Sequence, residues 1–190
     1  DDLATISKEF SVDFSALFFA DQMLNNACNQ KVNHTFTQLL TGKSVVDADA
    51  SSYVVLFVPG WDYVDNGHLT GADFSLQRKI VQELGVESYL VHLPPVGSVE
   101  TNAATLAVEI SRHSRLTKKI ILVGASSAGP AIHLALSEML GPQESVAVKA
   151  WLNLGGILHG SPLIDYYQLK PQSWLFDMVA RFKGWHKDAI

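Results

Sequence analysis

Four short runs rich in β-branched residues, Tyr53–Val58, Ser88–His92, Lys119–Gly124 and Val146–Leu154, are separated by stretches with helical spacing. Each run is largely apolar at successive positions, the pattern of strands covered on both faces. Between them, Leu76, Ile80 and Leu84 recur at four-residue steps, as do Ala103, Ala107 and Ile110, and then Ala128, Ile132, Ala135 and Met139 at close to the same steps. Strand and helix alternating in this way predict right-handed crossovers and a mainly parallel sheet with helices on both sides, a three-layer α/β sandwich. In such sheets ligands bind beyond the carboxyl ends of the strands, so the loops beginning at Pro59, Leu93, Ala125 and Gly155 are where chemistry is expected.

Two flanks frame this block. Residues 1–45 carry Phe10, Phe14, Leu17, Phe18 and Leu24 at helix-like steps and then an Asn/Gln-rich stretch, which predicts a helical arm packed on the sheet. Residues 46–164 form the α/β core. Residues 165–190 hold Tyr166, Tyr167, Trp174, Phe176, Phe182 and Trp185, and read as a lid or cap, or equally as a packing helix.

At 190 residues with 47% apolar and 17% charged side chains, the chain suits one globular domain rather than a disordered tract. A net charge of −5 and no basic run longer than a pair such as Lys118-Lys119 argue against nucleic acid as a partner. The single Cys28 cannot form an internal disulfide and leaves the redox compartment open. No apolar stretch approaches the ~20 residues of a membrane span, and the start at Asp1-Asp2-Leu3 has no signal pattern. That start also lacks a Met, which fits a trimmed or processed chain, and a removed export signal is compatible with it. Compartment and oligomeric state are not legible.

The most informative segment runs Ile120-Ile121-Leu122-Val123-Gly124-Ala125-Ser126-Ser127-Ala128-Gly129-Pro130, an apolar strand passing through small residues into a helix. A nucleophilic serine on such a turn needs small residues two before and two after it, because strand and helix approach closely there. Gly124 and Ala128 meet this for Ser126; Ala125 and Gly129 meet it for Ser127. Ser126 is preferred, since it puts Gly directly after the strand. The alternative is a plain strand-to-helix turn with a capping Ser. A second strand, Val54–Val58, ends in Pro59-Gly60-Trp61, where a backbone N–H can be turned toward a developing oxyanion. The Trp61 amide and the Ser127 amide would form a two-donor hole, with Gly60 lining it.

On these two segments the chain resembles the α/β-hydrolase superfamily, over about residues 53–160. Gly124-Ala125-Ser126-Ser127-Ala128 is similar to its Gly-x-Ser-x-Gly elbow, and Pro59-Gly60-Trp61 to its His-Gly-x loop with Pro59 in place of His. Gly71-Ala72-Asp73-Phe74, the segment Gly97–Ala103 and the segment Gly155–Pro162 resemble loops of uncharacterised bacterial members. The resemblance implies that the four strands match the family's third to sixth and that Ser126 is the nucleophile in ester or related acyl hydrolysis. It also implies an acid after the seventh strand and a His after the eighth, and the chain stops about 35 residues past its fourth run. A truncated or degenerate relative is expected on that count.

The remaining candidates for base and acid are weaker. His159 follows the fourth run at the correct sheet edge and is a site-lining candidate; Asp165 stands where an acid could follow the sixth strand, although helix capping suits it better. His133, His186 and Asp177 read as surface or packing residues. Asp73 and Thr101 read as helix caps. Thr41-Gly42-Lys43-Ser44 lacks the earlier Gly and the strand of a phosphate loop, and Asn33-His34-Thr35 is a chance-level glycosylation sequon. No His, Cys or carboxylate group has metal-ligand spacing, and no cofactor is expected. The expected function is a serine hydrolase of esterase or lipase type acting on a small acyl or ester substrate. The rivals are a non-catalytic binding module on the same scaffold and, more remotely, an acyltransferase.

Overall fold

The computed structural model describes residues 3–42, 49–61, 63–95 and 97–160, with 162, 166, 173, 174, 177 and 178 beyond them. Asp165 and His186 lie outside the described residues. The chain divides into two compact units, Asp1–Ala48 and Asp49–Ile190.

The first unit contains the helices α1 (Leu3–Glu9), α2 (Val12–Asn25) and α3 (Ala27–Leu40). Ser11 starts α2 by accepting the Phe14 N–H at 3.0 Å. Asn26 ends α2 and starts α3, its Oδ1 accepting the N–H groups of Cys28 and Asn29. Such caps satisfy amides that the first helical turn leaves without partners. The Ser15 hydroxyl donates to Leu3 O at 3.1 Å and ties α2 to α1.

The second unit is the α/β core. Its elements are β1 (Tyr53–Val58), α4 (Tyr63–Thr70), α5 (Ser75–Glu83), β2 (Glu87–Leu90), α6 (Val99–Arg115), β3 (Lys119–Ala125), α7 (Ala128–Leu134), α8 (Pro142–Ala147) and β4 (Val148–Leu154). The four strands pair in the order β2-β1-β3-β4, every neighbour parallel. Val54 lies opposite Glu87 on one side and Ile120 on the other, and the β3–β4 register shifts between Ile120 and Ile121.

The pleat divides β1 between two cores. Val54, Leu56 and Val58 point to one face and pack with Ala103, Leu106 and Ile110 of α6 and Ala128, Ala131 and Ile132 of α7. Val55 and Phe57 point to the other, where Phe74 meets Phe57 with ring centroids 5.1 Å apart and Val81 of α5 joins them. Each fully buried Leu, Ile or Val of this kind contributes about 1.5–3 kcal/mol relative to exposure. The architecture is therefore the expected mixed α/β sandwich with helices on both faces of a parallel sheet.

Several local expectations are corrected. The second strand ends at Leu90, so Val91 and His92 lie outside it. Val146 belongs to α8, because Pro142 at the first helical turn nucleates a helix up to Ala147 before the strand begins. The fourth strand is not covered on both faces: Leu152 and Leu154 are about half exposed, as suits a strand at the end of the pairing order. Leu76 and Ile80 on α5 and Leu84 at its C-cap do form a stripe, but it faces outward, and Val81 makes the inward contact. The helix predicted through Met139 widens into a π turn over Ala135–Met139. Thr101 is not a cap; Ser98 is, accepting the Thr101 N–H at 3.2 Å. Asp73 accepts the Ser75 N–H at 3.1 Å, one residue further on than the expected start, while Phe74 adopts φ +52. No helix among the described residues is long and apolar enough to cross a membrane.

Candidate active site

The loop between β3 and α7 is built around Ser126, which holds φ +53. L-residues other than Gly rarely adopt this region, and it costs on the order of 1–3 kcal/mol unless surrounding structure enforces it. Ser127 has ordinary angles, φ −64 and ψ −12. The two serines thus differ in backbone state, and the strained one is the residue preferred from the sequence.

The enforcement is visible in the packing. A side chain at Gly124 would run into the end of the Ile132 side chain of α7, so the strand passes closest to the helix where it carries no side chain. Ala128, two residues after Ser126, is fully enclosed. A Cβ at Gly129 would lie 2.9 Å from Gly156 Cα, which fixes Gly129 as the place where α7 meets the loop after β4. Pro130 falls in the first turn of α7, where a missing N–H costs nothing.

Hydrogen bonds then lock the turn. Ser126 N–H donates to Leu154 O at 3.3 Å, and Ser126 O accepts from Gly129 N–H at 3.1 Å and Ile157 N–H at 3.2 Å. The loop carrying Ile157 is itself pinned, since Gly156 N–H donates to Asn153 Oδ1 at 2.8 Å. Asn153, Gly156 and Ile157 were not singled out from the sequence as a clamp; the one signal is the Asn153-Leu154-Gly155-Gly156 turn composition, which does not say what the turn grips.

The loop after β1 reaches the same place. Pro59 and Gly60 are buried, and a Cβ on Gly60 would lie 3.2 Å from both Ala125 O and Ser126 Cβ and 3.8 Å from Ser126 Oγ. A side chain at Gly60 would make these neighbours give by a few tenths of an ångström. Trp61, next in the chain, is 42% exposed. Tyr63 steadies the loop: its buried hydroxyl donates to Leu93 O at 3.0 Å, joining the segment after β1 to the segment after β2. Burial raises the Tyr63 phenol above its usual range, against the opposing effect of that bond.

The structure therefore brings Ser126, Ser127 and Gly60 together at the carboxyl ends of β1 and β3, with Trp61 following Gly60. Ser126 is exposed. Among the described residues no His or carboxylate makes a hydrogen bond with Ser126, and the Ser127 N–H has no acceptor. His159 is exposed on the turn in which Gly160 N–H donates to Ile157 O, without a hydrogen bond to Ser126. His133 is exposed on α7. Asp165 lies outside the described residues. Chemically, the turn presents a hydroxyl beside main-chain amides, and no general base is in place among the described residues.

No protein-family model and no curated protein matches the sequence. Among solved structures, the chain is similar to the crystal structure of the metagenomic carboxyl esterase MGS0156, with a TM-score of 0.53 and 20% identity over 65% of this chain. The match covers 36% of that esterase, so this chain spans little more than a third of its length. Likeness at this level bears on the fold alone: four parallel strands flanked by helices, a partial α/β-hydrolase-like fold.

Proposed function

We propose that this chain carries the nucleophile and oxyanion-binding parts of a serine hydrolase acting on small acyl or ester substrates. The observation that carries the reading is the backbone of Ser126: a non-glycine residue at φ +53, exposed between a buried parallel strand and a helix. That is the strained turn a nucleophile elbow requires. The esterase in the structural match supports the same reaction class.

In this reading Ser126 Oγ attacks the acyl carbon while its proton passes to a general base. The carbonyl oxygen becomes an oxyanion held by the N–H groups of Ser127 and Trp61. Collapse expels the alcohol and leaves an acyl-Ser126, which water cleaves to the acid. Each oxyanion donor is worth on the order of 10²–10³ in rate. The base and its orienting acid must come from beyond the described residues.

A second reading, a binding module on a hydrolase scaffold, is favoured by two observations. Among the described residues Ser126 has no base, and Pro59 stands where the family carries His. A serine-directed fluorophosphonate separates the two. Labelling at Ser126 that is lost in Ser126→Ala and kept in Ser127→Ala supports the hydrolase. Labelling lost only in Ser127→Ala moves the nucleophile by one residue, and no labelling of the full-length protein favours the binding module.

A further inference from the structure

Away from Ser126, the outer side of β2 carries a cleft of about 350 Å³ that includes Arg78 of α5, Ser88 and Tyr89 of β2, His92, and Glu109 and Arg112 of α6. β2 ends the pairing order, so this side of it faces no strand among the described residues. In a chain of net charge −5 the cleft has the opposite sign, with two guanidinium groups against one carboxylate.

The two guanidinium groups differ in a telling way. Arg112 Nη2 bonds Glu109 Oε2 at 2.6 Å, and Glu109 also lies 3.9 Å from His113 Nε2. The carboxylate is thus occupied. Arg78 is half-buried, and among the described residues its side chain has no hydrogen-bond or ion-pair partner. Its Nε is shut off from solvent with its N–H unsatisfied. The terminal nitrogens of the same guanidinium are not enclosed and also have no partner among the described residues, so they are the donors that a ligand in the cleft can meet. A planar fork of five donors matches the oxygens of a carboxylate or phosphate.

The surroundings hold this arrangement still. Ser88 Oγ donates to the Arg78 carbonyl at 3.3 Å and fastens α5 to β2. Tyr89 packs on the buried His113 ring with centroids 5.0 Å apart, giving the cleft a firm aromatic wall. The volume lies at the lower end of the range for small-molecule sites.

We infer that this cleft is a binding site for a small oxyanion, a carboxylate or phosphate group, with Arg78 as its principal donor and Arg112 as the second. It is separate from the Ser126 turn and does not depend on the hydrolase reading.

The test is a titration of the isotopically labelled chain with inorganic phosphate and, in a second arm, sodium acetate, at matched ionic strength, following the Arg78 Nε–H and Tyr89 amide resonances. Saturable shifts are expected in at least one arm; phosphate alone identifies a tetrahedral group and acetate alone a carboxylate. Arg78→Gln should weaken binding at least about tenfold, because it removes the charge-assisted fork. Arg112 is mostly exposed, so Arg112→Gln keeps the fold and should weaken binding about threefold or more, as loss of a second charged donor does. Lys149→Gln, whose ammonium bonds Val146 O beside β4, should leave it unchanged. Non-saturating shifts in both arms, or affinity untouched by both arginine substitutions, would overturn the site.

Discussion

Ile157 N–H donates to the carbonyl oxygen of Ser126 at 3.2 Å, so the loop after β4 grips the residue that ends β3's turn. The grip is indirect in origin. Asn153 Oδ1 holds Gly156 N–H at 2.8 Å, and Gly156 in turn abuts Gly129 of α7.

Asn153→Ala removes that acceptor. The loss should cost about 1 kcal/mol of stability, the usual net worth of a hydrogen bond, and should speed amide exchange at Gly156 and Ile157. Asn153→Asp keeps an acceptor oxygen and should restore most of the protection. Exchange at Ile157 that is equal in all three chains would show that the clamp does not depend on Asn153.

Gly60→Ala places a methyl 3.2 Å from Ala125 O and Ser126 Cβ, a separation that backbone must yield to accommodate. Stability should fall by about 1–3 kcal/mol, as overpacking does, and fluorophosphonate labelling at Ser126 should slow by about tenfold or more. Urea melts together with labelling rates measure the two effects. A variant as fast and as stable as the parent would mean that the β1 loop stands farther from Ser126.

Gly124→Ala should destabilise by about 1–3 kcal/mol, because its methyl runs into the Ile132 side chain. Shortening that side chain in Gly124→Ala/Ile132→Val should recover part of the loss, giving a favourable coupling of at least about 0.5 kcal/mol in a double-mutant cycle. Strict additivity would place the strain somewhere other than the β3–α7 contact.

His113 is buried against Tyr89, and burial first, then the Arg112 guanidinium, lowers its pKa below the usual imidazole range. Lys118 adds to the lowering, while Glu109 and Glu87 oppose it. Because the unfolded chain binds the proton more readily, the contribution is complete above about pH 6.5 and is lost as pH falls below that value toward the folded-state pKa. His113→Phe keeps an aromatic ring there and removes the titration. Its denaturation midpoint should therefore decline less than the parent's on acidification from pH 7, and parallel curves would exclude His113 as a source of acid sensitivity.

The sheet was legible because buried parallel strands are written as apolar runs, and β1 and β3 carry that pattern almost without interruption. What escaped was the identity of the outer faces. The stripe Leu76, Ile80, Leu84 has core-like spacing yet points outward, since periodicity reports that a face exists and not which neighbour it meets. β4 reads as a core strand and is half exposed for the same reason. The Ser126 turn was visible as small residues around a serine, but the difference in backbone between the two serines, φ +53 at Ser126 and φ −64 at Ser127, was not. Asn153 and Arg78 were invisible, because one acts through a neighbour's amide and the other through a partner that it lacks among the described residues.

The central pairing of the sheet sets Tyr53 against Lys119, with two helical crossovers and β2 lying between them in the chain. A strand as apolar as β1 thus waits about sixty residues of synthesis for this partner, and such distant pairings form slowly. β2 covers one edge of β1 earlier, but until β3 emerges the other edge of Val54–Val58 stays unpaired, the kind of apolar strand edge that invites aggregation during folding.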